Sequence, residues 1–194
     1  QQTVVLLDAW LPPTPERTRD EALAELAWRY FRSHGPALAK DFIWWSGLAA
    51  AEARAGLEMA KSRLASESVS KETLWFAPPL ITEAIPAPVA HLLPYVDEYI
   101  VAYRDRDAIQ PPAYNALVDS GNVIFHPPLL IDGRVAGIWT RKLKKDRAMI
   151  APTLFRPLAA GEGDALATAA DRLGSFLGLT AELALVDSEK PIAP

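Results

Sequence analysis

Two proline-rich breaks decide how this chain can be organised. Residues 8–17 hold Pro12, Pro13 and Pro15, and residues 78–94 hold Pro78, Pro79, Pro86, Pro88 and Pro94. Proline removes a backbone donor and turns the residue before it away from helix. Helix or sheet cannot run unbroken through either stretch. The chain therefore reads as a first unit at 18–77 and a second at 95–186, joined by a linker at 78–94. A strand with its linker (1–17) precedes them and a loose tail (187–194) follows. Two small units suit 194 residues of which half are hydrophobic and 23% charged.

The first unit opens with Thr18-Arg19-Asp20-Glu21. A hydroxyl here and a carboxylate three residues on can satisfy each other's orphan amides, a capping box. Leu23, Leu26, Ala27, Tyr30 and Phe31 then recur at helical spacing and predict one buried face. Gly35 reads as the stop and Pro36 as the first residue of a second helix over 36–46, with Leu38, Phe42 and Trp45 inward. Ser46-Gly47-Leu48 is the turn into a third helix from about Ala49 to Arg63, with Ala53, Leu57 and Ala60 on one face. Two short extended runs, 66–70 and 73–77, close the unit. Three helices and a hairpin in this order predict a winged helix-turn-helix.

The second unit reads as β-rich. Residues 95–106 are ambiguous between strand and helical turn, and a short helix is expected near 112–118. Strands at 123–131 and 134–142 flank Asp132-Gly133, a strong hairpin-turn signal. A second hairpin joins 139–143 to 148–155 through Lys144-Lys145-Asp146. A helix at 163–177 carries Leu166, Ala169, Ala170, Leu173, Phe176 and Leu177 on its apolar side, and a last strand spans 181–186. The fold class expected is α+β: a winged helix followed by a β-rich unit with one long amphipathic helix. At the other end, Thr3–Leu7 reads as an apolar strand that needs partners, so further sequence is expected upstream of Gln1.

Several function classes drop out. There is no cysteine, which excludes disulfides and thiolate metal sites and fits a reducing cytoplasm. His34, His91 and His126 lie far apart with no ligand spacing, so no metal is expected. No apolar run approaches the ~20 residues of a membrane helix, and no signal peptide is legible. Phosphate-loop, dinucleotide, nucleophile-elbow and zinc-protease motifs are absent, so no cofactor is expected. The net charge of −4 argues against a surface that wraps nucleic acid as a whole. A DNA-binding reading must find a local basic patch.

Three places offer one. The third helix presents Arg54, Lys61 and Arg63, alongside Glu52 and Glu58, for a DNA groove; the plainer reading makes it a scaffold. Arg104 and Arg106, in Tyr103-Arg104-Asp105-Arg106, could fork onto phosphates, or belong to a salt-bridge network with Asp97 and Glu98 nearby. Arg141, Lys142, Lys144, Lys145 and Arg147 put five of the twenty basic residues at one hairpin tip, where the alternative is a solvated turn. Of Trp44-Trp45, neighbours about 100° apart on a helix, one is expected in the core.

Three blocks carry a resemblance. They are Lys40-Asp41-Phe42-Ile43-Trp44-Trp45-Ser46-Gly47-Leu48, then Leu92-Leu93-Pro94-Tyr95-Val96-Asp97-Glu98-Tyr99 with Tyr103-Arg104-Asp105-Arg106, then Ile131-Asp132-Gly133-Arg134-Val135-Ala136-Gly137-Ile138-Trp139. In this order they resemble the second half of the winged-helix DNA-binding-domain proteins, a family that includes bacterial alkylpurine glycosylases that unhook interstrand crosslinks. The resemblance covers about residues 1–180. It implies winged helices around a barrel-like element and a partner in double-stranded DNA, alkylated or crosslinked. It also implies a water polarised by a Gln-x-Gln or Gln-x-Asp motif in an N-terminal half. The glutamines here are Gln1, Gln2 and Gln110, none in that pattern. No catalytic residue can be assigned, and the chain alone is expected to be an inactive DNA-docking part whose N-terminal half is missing. The alternative is a non-enzymatic winged-helix regulator or docking module.

Overall fold

The computed structural model describes residues 3–13, 15–80, 88–118 and 126–184. The predicted extended segments at 123–125 and 185–186, part of the 78–94 linker, the 187–194 tail and Gln1-Gln2 lie outside the described residues. Chain contacts divide the protein into two compact units, Gln1–Leu80 and Ile81–Pro194.

In the first unit, Thr3–Leu7 does not form the expected strand. Residues 3–6 are irregular and are followed by one helical turn, α1 (Leu7–Trp10). No strand among the described residues pairs with it, and Val4, Leu6, Leu7 and Trp10 stay exposed. Helix α2 (Arg19–His34) begins with the complete capping box: the Glu21 amide donates to the Thr18 hydroxyl, and the Thr18 amide donates to the Glu21 carboxylate at 2.8 Å. Leu23, Ala27, Tyr30 and Phe31 are buried, the i, i+4, i+7, i+8 face that the spacing predicts.

The second helix starts later than Pro36. Gly35-Pro36 is a cis peptide bond, and Ala37–Leu38 form a short strand, β1, before α3 (Ala39–Ser46). Pairing decides this: Ala37 and Leu38 sit opposite Trp75 and Leu74 in a sheet, a long-range demand that overrides local helix preference. Asp41 accepts the Leu38 amide at 3.0 Å and so caps the delayed start. Gly47 ends α3 with φ of 65°. Helix α4 (Ala50–Ala60) runs into a 3-10 turn at Lys61–Arg63, and β2 (Ala65–Val69) pairs antiparallel with β3 (Glu72–Phe76), giving the sheet order β1-β3-β2. Gly56 lets α4 cross close to α2, since a Cβ there would stand 2.7 Å from the Leu23 carbonyl oxygen. Tyr30, Phe31, Phe42 and Trp45 pack edge-on or tilted against one another at centroid distances of 5.1–5.7 Å. Trp44 points to solvent while Trp45 joins this cluster.

The second unit is a five-stranded sheet in the order β4 (Ala90–Leu92), β5 (Pro128–Ile131), β6 (Arg134–Leu143), β7 (Arg147–Leu154), β8 (Thr180–Leu183). It curls into a half-barrel. The segment read as ambiguous, 95–106, contains α5 (Glu98–Val101), and the short helix expected near 112–118 forms as a 3-10 turn (Pro112–Tyr114) running into α6 (Asn115–Val118). Pro128–Ile131 is buried at every position, because both faces of the sheet are covered. Leu129, Ile131, Trp139 and Ile150 meet Leu166, Ala169 and Ala170 of the long helix α7 (Glu162–Leu177). Leu130 and Val135 meet Ile100, Val118 and Phe155 on the opposite face. Each such aliphatic or aromatic burial is worth about 1.5–3 kcal/mol.

The β5–β6 turn is Asp132-Gly133, with φ of 49° and 75°, the left-handed pair that a tight hairpin needs. Phe176 departs from expectation: it stands 85% exposed at the far end of α7, on the margin of the apolar stripe. Helix α7 is anchored at its start by Glu162, which accepts two bonds from Arg156 at 2.6 and 2.8 Å and one from the Ala159 amide at 2.7 Å.

Candidate nucleic-acid interface

Strands β6 and β7 project the most basic stretch of the chain at their shared tip. Leu143 pairs with Ala148, and the Lys144 amide donates to the Arg147 carbonyl at 2.8 Å, so Lys145 and Asp146 form the turn. Arg141, Lys142, Lys144 and Lys145 are all exposed. Strand alternation splits the first two. Arg141 shares a face with Trp139, on the α7 side, and Lys142 shares the opposite face with Ile138.

Arg147 behaves differently. It bonds Asp146 and reaches Glu182 of β8 at 2.7 Å. The Asp146 hydrogen bond and charge, joined by Glu182, raise the Arg147 pKa, while the bond from Arg147 holds the Asp146 carboxyl below its ordinary value. The two carboxylates nearest the tip are thus gathered on one arginine. Arg141, Lys142, Lys144 and Lys145 form no salt bridge among the described residues, though the Lys144 charge also acts on the Asp146 carboxyl. The tip carries five cations against two acids on a molecule of net charge −4.

The other predicted cations lie elsewhere. Arg104 and Arg106 follow α5 and already have partners of their own. Their loop is tied to the far end of β6, where the Val135 amide donates to the Ile109 carbonyl at 2.8 Å. Along the strand that is about 26 Å from Leu143, at ~3.3 Å per residue. In the first unit Arg54 projects from α4 into solvent. Lys61 pairs with Glu58 and lies 5.3 Å from the Trp75 ring. Arg63 covers Trp28 at 3.7 Å and bonds Glu25 at 3.1 Å. Glu25 is held below the ordinary glutamate pKa by hydrogen bonds from Arg29 and Arg63. Lys61 and Arg63 thus serve the packing of their own unit.

Two cavities flank the sheet. One, of about 630 Å³, lies by the Asp132-Gly133 turn and is lined by His91, Tyr99 and Leu130 among others. The Tyr99 hydroxyl donates to the Gly133 carbonyl at 2.9 Å, and burial pushes its pKa up. The other, of about 480 Å³, lies at the opposite end, between Tyr95, Trp139, Arg141 and Phe176. Sequence reasoning missed this cleft, because its walls come from four separated stretches of chain and the helical spacing assigns Phe176 to the core. Gln110 is fully buried, with its amide nitrogen on Asn115 at 2.6 Å and its oxygen without a partner among the described residues. Among the described residues no group of acids and histidines could hold a metal ion, and no helix is long and apolar enough to cross a membrane.

The model of the family described as DNA glycosylase AlkZ-like matches residues 1–176. The chain belongs to the AlkZ-like family. The solved structure of Streptomyces sahachiroi DNA glycosylase AlkZ is similar to it, with a TM-score of 0.71 at 19% identity, over 92% of this chain and 49% of that one. At that identity the likeness speaks for the fold alone. The chain spans about half the length of that AlkZ structure. No curated protein matches. The chain is thus an AlkZ-like family member of α+β fold, and among the described residues its most cationic feature is the β6–β7 tip.

Proposed function

We propose that this chain is the DNA-holding part of a glycosylase-like repair protein, with the bond-breaking chemistry carried by sequence outside it. The observation that carries the reading is the tip: five cations against two acids, on an otherwise acidic member of a DNA glycosylase family. Lys144 and Lys145 lie on the phosphates of a duplex, and Arg141 or Lys142 adds a further contact depending on the face engaged. Phosphate contacts of this kind hold and orient DNA without reading its sequence.

The catalytic part is assigned elsewhere from the glutamines. A hydrolytic glycosylase of the kind the sequence blocks suggest needs a side-chain amide open to a water molecule. Gln110 is sealed in the core against Asn115 and followed by Pro111-Pro112. In this reading residues 18–77 are a winged helix, with α3 and α4 as the helix-turn-helix and β2–β3 as the wing. The linker to the DNA-docking unit is shorter than the 78–94 that the sequence suggests, since Ala90–Leu92 is strand β4 of that unit's sheet, and the protein works in the cytoplasm. The missing partner is the N-terminal half of the same protein, and the substrate is alkylated or crosslinked double-stranded DNA.

A second reading makes the first unit a protein-docking or regulatory module. It is favoured by one observation, that Lys61 and Arg63 are already engaged by Glu58, Glu25 and Trp28. Both readings meet one experiment on the 194-residue chain with methylated duplex DNA. The chain should bind the duplex in a salt-dependent way and release no base. Base release would place the catalytic centre here and overturn the division of labour, and absence of binding would leave the docking module.

A further inference from the structure

We infer that the cleft between Tyr95, Trp139 and Phe176 receives one unstacked base of the nucleic acid held by the tip. This rests on the nucleic-acid reading of the tip and extends it. Three observations converge. The cleft is about 480 Å³, in the range of small-ligand sites. Its rim presents two large rings to water, Tyr95 at 58% and Phe176 at 85% exposure, above the buried indole of Trp139. Its one cation is Arg141, which has no carboxylate partner among the described residues.

Topology places the cleft beside the tip. Strand β8 runs parallel to β7 and starts level with it, Thr180 opposite Arg147, with the Thr180 amide 3.3 Å from the Asp146 carbonyl. The end of α7 that carries Phe176 therefore lies at the tip end of the sheet. A strand whose phosphates rest on Lys144 and Lys145 has the cleft within reach, and Arg141 stands between them to hold the phosphate of the inserted nucleotide. The Trp139 indole N–H is already donated to the Leu93 carbonyl at 2.8 Å. The cleft thus offers ring faces and one guanidinium, a surface that accepts any base by stacking. The cations favour a polyanion over an apolar protein segment as the occupant.

The test compares a fully paired duplex with the same duplex carrying one unpaired thymidine, by fluorescence anisotropy on the full chain at fixed salt. The chain should prefer the bulged duplex by about fivefold or more, the lower end of what one stacked base contributes. Phe176→Ala and Tyr95→Ala should remove that preference and leave paired-duplex affinity unchanged, with Tyr95→Phe restoring it. Lys144→Gln with Lys145→Gln should weaken both duplexes alike and keep their ratio. No preference in the unmodified chain, or a preference indifferent to both ring deletions, overturns the cleft and leaves the tip. Indifference of both duplexes to the lysine changes overturns the reading of the tip and the cleft with it. Self-association abolished by Phe176→Ala gives the cleft to a second copy and overturns the inference.

Discussion

Replacing Lys144 and Lys145 together by Gln tests the electrostatic argument most directly. Both side chains sit in or beside the turn, exposed and outside any salt bridge among the described residues, so the change removes the charge and leaves a slightly shorter polar side chain in place. Strand alternation sends Arg141 and Lys142 to opposite faces, so a duplex along one face meets Lys144, Lys145 and one of those two. Three phosphate contacts give a log–log salt slope of about −2.7 at ~0.9 per contact. Between 50 and 200 mM salt, the unaltered chain should then lose affinity about 40-fold. The double variant, with one contact left, should lose about 3- to 4-fold over the same range. Anisotropy titrations of a labelled duplex at four salt concentrations give both slopes, and a thermal melt checks that stability moves by less than about 0.5 kcal/mol, as expected for open surface sites. A variant slope equal to that of the unaltered chain would refute the reasoning, because the remaining cations would then be the ones that meet phosphate.

Glu162→Gln should destabilise the second unit by about 1–2 kcal/mol, the lower part of the range for charged hydrogen bonds, since Arg156 is partly open to solvent. The Arg156 hydrogen bonds hold the Glu162 carboxyl below its ordinary pKa, so its stabilising effect is complete above the unfolded value of about 4.3. It is lost as the pH falls through the depressed folded value; circular dichroism melts across that window should converge for the two proteins. Thr18→Ala should cost about 1 kcal/mol by opening the capping box, read in urea unfolding followed by tryptophan fluorescence. A midpoint unchanged by Thr18→Ala would mean that helix α2 frays at its start without consequence for the unit.

What was legible in the sequence was what is local. Thr18 and Glu21 carry their own cap, the buried face of α2 follows from 3.6-residue spacing, and Asp132-Gly133 names its own turn. The basic run 141–147 could be placed on a hairpin because strands flank it. What could not be read depends on partners distant in sequence. Ala37–Leu38 is a strand only because Trp75 and Leu74 lie opposite. Thr3–Leu7 has strand composition, yet no strand among the described residues pairs with it. Arg147 looked like one more free cation until β8 brought Glu182 alongside it from far down the chain. Phe176 has the right spacing for the core, yet α7 turns its ring outward at the edge of the stripe, where Tyr95 and Trp139 make it one wall of a cleft.

Among the described residues, strand β6 outruns β5. Its pairing with β5 ends at Ile138, and Trp139 makes a last bond to Pro127, while pairing with β7 continues to Leu143. Residues 140–143 therefore have no strand partner on the β5 side among the described residues, and a strand flank of that kind is where sheets of separate molecules can join. Lysine and arginine on that flank repel a like flank. The same charges thus oppose edge-to-edge pairing between copies of this chain, and exchanging them for leucine or isoleucine would turn a guarded border into a seed for fibrous assembly.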